Sequence, residues 1–245
     1  MKLFNKNTDT DLIVVAEIGV NHEGSTERAV SLIDSAMEAG ADAVKIQVGT
    51  TAGRERKGAS FSLNEMEIRR LARRCRILDI PLFASALDLE AVELCAELFP
   101  VIKIASRDFH NVPLLTAVQK TGLPAIASIG ERDLDAVVVV TELLKDRVAI
   151  LHTVPEYPAE DPNLEDLELL QVSFGKIPIG YSNHCKGLWA PYRAVAKGAC
   201  IIELHFTDDK TREFRDHHLS VEADELREFV AHASTVRDCL GGVSA

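Results

Sequence analysis

The feature that most constrains this chain is a regular alternation in which short apolar, β-branched runs recur along its length, each followed by a longer stretch with helical periodicity. Eight such runs occur: LIVVAEI from Leu12, DAVKIQ from Asp42, PLFASA from Pro81, VIKIAS from Val101, PAIAS from Pro124, VAILHT from Val148, IPIGYS from Ile177 and CIIELHF from Cys200. Strands alternating with helices imply βαβ units and a parallel sheet. Eight units predict an α/β protein of the closed (β/α)₈ barrel type, one domain over residues 1–245, and 245 residues is close to the roughly 250 of that fold. A doubly wound open sheet is the rival architecture. It commonly places a Gly-rich phosphate turn after its first strand, and neither GxGxxG nor GxxxxGK[ST] occurs here.

The helical stretches carry their own signals. Ser25 precedes TERAVSLIDSAMEAG, where Ala29, Leu32, Ile33 and Ala36 share a face and Gly40 ends the helix. In SLNEMEIRRLARRCRILD, Ser62 and Glu65 have capping-box spacing, and Met66, Ile68, Leu71, Ala72 and Cys75 supply the apolar positions. Comparable helices are expected after Asp88, His110, Glu131, Asn163, Gly187 and Val221. The longest loop, Val48 to Phe61, follows the second strand and reads as a lid or an unstructured segment.

Composition narrows the class. A formal net charge of -11 argues against nucleic acid or an anionic membrane as partner, so an anionic ligand would need a local cationic pocket. Five scattered cysteines (Cys75, Cys95, Cys185, Cys200, Cys239) form no CxxC pair, which points to a reduced, cytoplasmic setting rather than disulfides or structural zinc. No apolar run approaches the ~18 residues of a membrane span, and the polar N-terminus has no leader-like apolar region.

Chemistry in a (β/α)₈ barrel sits at the C-terminal ends of the strands. That filter selects Glu17, Lys45, Gln47, Ser85, Lys103, Ser106, Asp108, Ser128, His152, Ser182, His184, Glu203 and His205. Two lysines inside apolar strands need a counter-charge, because burying an ammonium costs several kcal/mol unless it is paired. Either Lys45 and Lys103 pair with barrel carboxylates such as Glu17 and Glu203, or they mark a phosphate site. Ser106, Ser128 and Ser182, from three strands, add hydroxyl donors suited to phosphate or carboxylate oxygens. His184 and His205 end consecutive strands and could converge on one divalent ion, Mn²⁺, Co²⁺, Mg²⁺, Fe²⁺ or Zn²⁺. Glu17 reads as a general base or as an anchor for a lysine. His217 and His218, beside Asp216, read as a solvated loop, His218 above all.

The segment AEIGVNHEGSTERAVSLIDSAMEAGADAVKIQ resembles the opening of the N-acetylneuraminate (sialic acid) synthase family, which includes pseudaminic and legionaminic acid synthases. The similarity continues through FSLNEMEIRRLARRC, IKIASRD, GLPAIASIG, ILHTVPEYP, IGYSNH and IIELHFT, nearly the whole chain in order. The resemblance implies a barrel in which phosphoenolpyruvate attacks the aldehyde of an N-acetylated hexosamine with a divalent metal present, releasing phosphate. It implies Glu17 and Asp216 at the reacting centre and His184 and His205 on the metal. Lys45, Ser85, Lys103, Ser106, Ser128 and Ser182 would bind phosphoenolpyruvate, while Gln47, Asp108, Tyr157 and Asp216 would face the sugar. It also implies a homodimer.

The departures concern the sugar side most. Ala86 and Ile129 stand where the family has Thr, which removes two donors expected on the phosphate side. Arg107 and Asp108 replace a Gly and a Glu, Pro155 replaces an Asn, and FRD up to Asp216 replaces PGPD. The chain ends at GGVSA, so the family's C-terminal antifreeze-like domain, which supplies an Arg, is expected to be absent or carried by a separate chain. Arg107, Arg54 or Arg56 would stand in for that Arg. The leading expectation is a metal-dependent, phosphoenolpyruvate-consuming synthase acting on an aldehyde sugar. A catalytically lapsed barrel that binds a ligand or partner, and a metal-dependent aldolase, epimerase or hydrolase, are the alternatives.

Overall fold

The computed structural model describes residues 1–49, 62–130 and 133–241. A two-strand hairpin, β1 (Lys2–Leu3) and β2 (Lys6–Asn7), comes first, turning through Phe4 and Asn5, both at positive φ. Eight parallel strands follow: β3 (Ile13–Glu17), β4 (Ala43–Val48), β5 (Leu82–Ala86), β6 (Ile102–Ile104), β7 (Ala125–Ile129), β8 (Val148–His152), β9 (Ile179–Asn183) and β10 (Ile201–His205). They close in sequence order, with β10 paired to β3, so the expected (β/α)₈ barrel forms.

Among the described residues, one α-helix follows each barrel strand. These are α1 (Thr26–Glu38), α2 (Glu65–Leu78), α3 (Leu89–Leu98), α4 (Val112–Thr121), α5 (Leu134–Leu144), α6 (Leu164–Ser173), α7 (Trp189–Ala196) and α8 (Ala223–Gly241). No described helix is long and apolar enough to cross a membrane.

The strand runs are largely apolar because both faces are covered, one by the barrel interior and one by the helices. Every residue of β3, β5, β6, β7, β8, β9 and β10 is buried. Inside, Phe4 packs on Phe83 with ring centroids 5.0 Å apart, so the hairpin stoppers the end of the barrel opposite the strand tips. Gly180 makes room for its neighbours: a Cβ there would stand 2.4 Å from Ile201 O and 2.6 Å from Leu151 Cδ2. Cys75, Cys95, Cys185 and Cys200 are free and buried, and burial pushes the Cys75 and Cys95 thiols up to about 12, as for inert core residues.

Several local expectations shift. The capping box of α2 is Asn64 with Glu67 rather than Ser62 with Glu65: Asn64 Oδ1 accepts from Glu67 N, and Glu67 Oε2 accepts from Asn64 N. Met66 is 79% exposed. Two residues before Ile68 is about 200° around a helix, so Met66 lies opposite the buried stripe of Ile68, Leu71, Ala72 and Cys75. Strand β6 ends at Ile104, and Ser106 opens a short 3₁₀ turn, Ser106–Asp108. Most of the long loop after β4, residues 50–61 with Arg54 and Arg56, lies outside the described residues.

Candidate active site

Register carries the strand-end residues to one rim. Glu17 pairs with His205 on one side and Lys45 on the other, Gln47 with Ser85, Ser85 with Lys103, and Ser182 with Glu203. Because side chains alternate along a strand, residues two apart point into the barrel together. Glu203 and His205, Ser182 and His184, and Lys45 and Gln47 are such pairs. They line a cavity of about 660 Å³ with Glu17, Ser85, Lys103, Ser106, Ser128, Tyr157 and Asp216.

The same parity excludes three residues singled out from the sequence. His152 is buried on the outer face, its Nε2 2.8 Å from Pro162 O and its ring stacked near Tyr181, while Thr153 reaches the cavity instead. Counting in twos from the inward Leu151 would have found Thr153. Ala86 and Ile129 are buried beside Ser85 and Ser128 but do not line the cavity, so the Thr they replace takes no donor from its wall. Asp108 is also absent from the wall. Its carboxylate accepts from Arg107 Nε at 3.2 Å and sits 3.5 Å from Asn111 Nδ2, so it steadies Arg107, which does line the cavity.

Both lysines find carboxylates inside the barrel. Lys45 Nζ lies 2.9 Å from Glu17 Oε2 and 2.6 Å from Glu203 Oε1. Lys103 Nζ donates to Ser128 Oγ at 2.6 Å and stands 3.9 Å from Glu203 Oε2. Ser182 Oγ donates to Glu203 Oε1 at 2.9 Å. Burial alone would raise Glu203, yet Lys103 and Lys45 hold its carboxyl well below the usual carboxylate range. Burial lowers Lys103, against the pull of Glu203. The buried quartet of two lysines and two glutamates is therefore balanced.

The cationic character of the cavity comes from its outer wall. Arg107 and Arg215 join the lysines against Glu17, Glu203 and Asp216, so among the described residues four fixed cations face three carboxylates. In a chain of net charge -11 this is a local reversal of sign. His218 is exposed, as a solvated loop predicts, and also borders the cavity, while His217 is wholly buried rather than solvated.

His184 and His205 bring their ring centroids within 5.5 Å. His184 Nδ1 lies 2.5 Å from Val154 O, the acceptor that makes Nδ1 the protonated nitrogen and leaves the Nε2 lone pair open. Burial, reinforced by His205, lowers His184 to about 3, so the ring is neutral, as a metal ligand must be. Asp216 Oδ2 stands 3.8 Å from His205 Nδ1, and the Tyr157 ring lies over His184 with centroids 4.0 Å apart. Among the described residues no three His, Cys, Asp or Glu side chains converge on one point. The two facing imidazoles are therefore the nitrogen donors that would hold a divalent ion, and the described residues form no three-residue cluster around them.

Glu17 is held by a close approach of backbone. Gln47 Nε2 donates to Glu17 Oε1 at 3.2 Å, and a Cβ on Gly19 would stand 2.2 Å from that oxygen and 2.7 Å from Gln47 Cγ. Gly19→Ala is expected to displace the Glu17 carboxylate at an overpacking cost of about 1–3 kcal/mol. Turnover in the assay described below should fall at least tenfold; wild-type turnover would show that the carboxylate has no need of this position.

A model of the NeuB family matches residues 54–245. The chain belongs to the NeuB family. An uncharacterized protein of Methanocaldococcus jannaschii is 36% identical over 242 residues, covering 93% of this chain and 72% of its own length. The N-acetylneuraminate-9-phosphate synthase of Homo sapiens is 34% identical, over 93% of this chain and 71% of its own. Among solved structures, the N-acetylneuraminic acid synthetase of Leptospira borgpetersenii serovar Hardjo-bovis, in complex with citrate, superposes with a TM-score of 0.91 at 31% identity, over 98% of this chain and 90% of its own. This NeuB-family chain thus shares the barrel of its relatives along nearly its whole length.

Proposed function

We propose that this NeuB-family chain condenses phosphoenolpyruvate with an aldehyde sugar, an amino sugar such as N-acetylmannosamine or a relative of it, to give a 2-keto-3-deoxy sugar acid and phosphate. The observation that carries the reading is the cavity itself, where four cations, serines from several strands and two facing imidazoles gather at the strand-end rim of an otherwise acidic barrel. Relatives named N,N'-diacetyllegionaminic acid synthase, N-acetylneuraminate-9-phosphate synthase and pseudaminic acid synthase support it.

In this reaction C3 of phosphoenolpyruvate bonds to the aldehyde carbon, a water oxygen adds at C2, and phosphate departs with cleavage of the C2–O bond. Of the two water hydrogens, one ends on the former aldehyde oxygen and the other leaves with the phosphate as C2 becomes the ketone carbon. Lys45, Lys103, Ser85, Ser106, Ser128 and Ser182 bind phosphoenolpyruvate, the hydroxyls donating to its oxygens. Glu17 moves the proton at the reacting centre, with Asp216 beside it. Gln47 and Tyr157 face the sugar, and Arg107 extends that side with a guanidinium held by Asp108. His184 and His205 would hold a divalent ion, which when bound polarises the aldehyde oxygen. A trianionic substrate entering a wall with one excess cation is better matched once two further positive charges are present.

The test is phosphate release from phosphoenolpyruvate, dependent on both a divalent metal and an aldehyde sugar drawn from a broad panel. His184→Ala should lose both this activity and the calorimetric binding of Mn²⁺. If no sugar releases phosphate and calorimetry detects no phosphoenolpyruvate binding, the reading fails.

A further inference from the structure

Asp216, Arg215 and His218 reach the cavity on the segment between β10 and α8, whose regular structure is limited to a three-residue turn, His217–Leu219. Its base is closed by a bridge between Phe206 and Val221 and by Thr207 N donating to Val221 O at 3.0 Å. Above that base, its position must come from side chains.

Two of these come from the loop after β3. Asn21 is fully buried and donates through Nδ2 to Phe206 O and to Ser220 Oγ, both at 2.9 Å. Ser220 Oγ in turn donates to Asp216 O at 2.6 Å. Next to Asp216 in the chain, the His217 ring is shut away from solvent, with Nδ1 2.6 Å from Thr207 Oγ1 and Nε2 3.2 Å from Glu23 Oε1. Glu23 has a φ of 50°, a left-handed backbone uncommon for a glutamate, and it also takes Arg28 Nη1 at 2.8 Å. Burial keeps His217 below its ordinary value; Nδ1 lies within hydrogen-bond reach of the Thr207 hydroxyl, and Nε2 meets Glu23 Oε1 as a close electrostatic contact without hydrogen-bond geometry.

We propose that Glu23 and His217 are positioning residues, and that the Glu23–His217–Thr207 chain fixes the β10–α8 segment so that Asp216 is held against His205. None of the three lines the cavity. The inference rests on the proposed condensation for its kinetic consequences, though its geometry stands apart from that reading. A displacement near 1 Å at a reacting centre costs on the order of 100-fold in rate. A carboxylate that orients its neighbour through a buried ring therefore acts on turnover and leaves the phosphoenolpyruvate lysines untouched.

The test uses Glu23→Ala, Glu23→Gln and Asp216→Ala in the full chain, with whichever acceptor supports phosphate release. Glu23→Ala should lower kcat roughly 10- to 100-fold and move the KM for phosphoenolpyruvate less than twofold. Glu23→Gln, which keeps an acceptor oxygen for His217, should recover kcat to within about threefold of wild type. Adding Glu23→Ala to Asp216→Ala should cost less than about twofold more, because the chain acts through Asp216. Effects that multiply, or a Glu23→Ala kcat equal to wild type, overturn the proposal. If no acceptor reacts, the proposed function falls while this inference is still decided by hydrogen exchange. Glu23→Ala should speed exchange at the His217, Leu219 and Ser220 amides on the order of tenfold, with β3 and β10 unchanged. Unaltered protection of those three amides overturns it.

Discussion

Exchanging Glu203 for Gln is expected to destabilise the fold by about 3–5 kcal/mol, because it removes one partner of a buried ion pair and strands the other. Lys103 is the residue stranded. With Glu203 gone, its ammonium keeps only Ser128 Oγ and a 3.4 Å contact to Ile104 O, at 2% exposure. The cost has a ceiling, since the lysine can shed its proton. Doing so at pH 7 from an unfolded value near 10.4 costs about 4 to 5 kcal/mol, the same size as the pairing loss. For a domain of this size that corresponds to a fall in Tm on the order of 10 °C, measured by thermal unfolding at pH 7. The pH dependence has a definite sign. Glu203 is depressed in the folded state, so its contribution is fully present above the unfolded carboxylate value near 4.3 and is lost as pH falls toward the lower folded value. Wild type should lose stability over that acid window, and Glu203→Gln should lack that part of the loss. A variant within 1 °C of wild type at pH 7 would mean that Lys103 is not held by this carboxylate.

The barrel was legible because its signal is repeated eight times: each strand must be largely apolar on both faces, and each helix must bury one stripe, so errors at single residues do not change the architecture. The site was legible where strand parity and chemistry agreed, as at Lys45, Ser182 and His184. It was misread where only position along the chain was used. His152 and Thr153 are neighbours at a strand end, and one residue decides which enters the cavity. Ala86 and Ile129 stand at the same kind of step, one residue past an inward serine, and point to the helices. Lys45 and Lys103 show a different limit. A buried lysine demands an anion, but the sequence does not tell whether the anion is Glu203, 158 residues from Lys45, or a ligand. The burial of His217 was invisible because it depends on Glu23, brought close only by the closure of β10 on β3.

The contrast between the two barrel glutamates yields the second large effect, this time on turnover. Glu17→Gln is expected to lower kcat by about 10²- to 10⁴-fold, the range associated with losing a positioned acid–base group. The swap keeps shape and removes charge. Lys45 retains Glu203 Oε1 at 2.6 Å, so no ammonium is stranded and the loss of Tm should be well below that of Glu203→Gln. Two isosteric changes that share Lys45 as a partner should thus separate cleanly, one mainly in stability and the other mainly in rate. Steady-state phosphate release and thermal unfolding on both variants decide the matter. Glu17→Gln turnover within threefold of wild type would remove Glu17 from the chemistry and leave it an anchor for Lys45. A large drop in kcat with an intact fold is what a proton-moving carboxylate at the reacting centre requires.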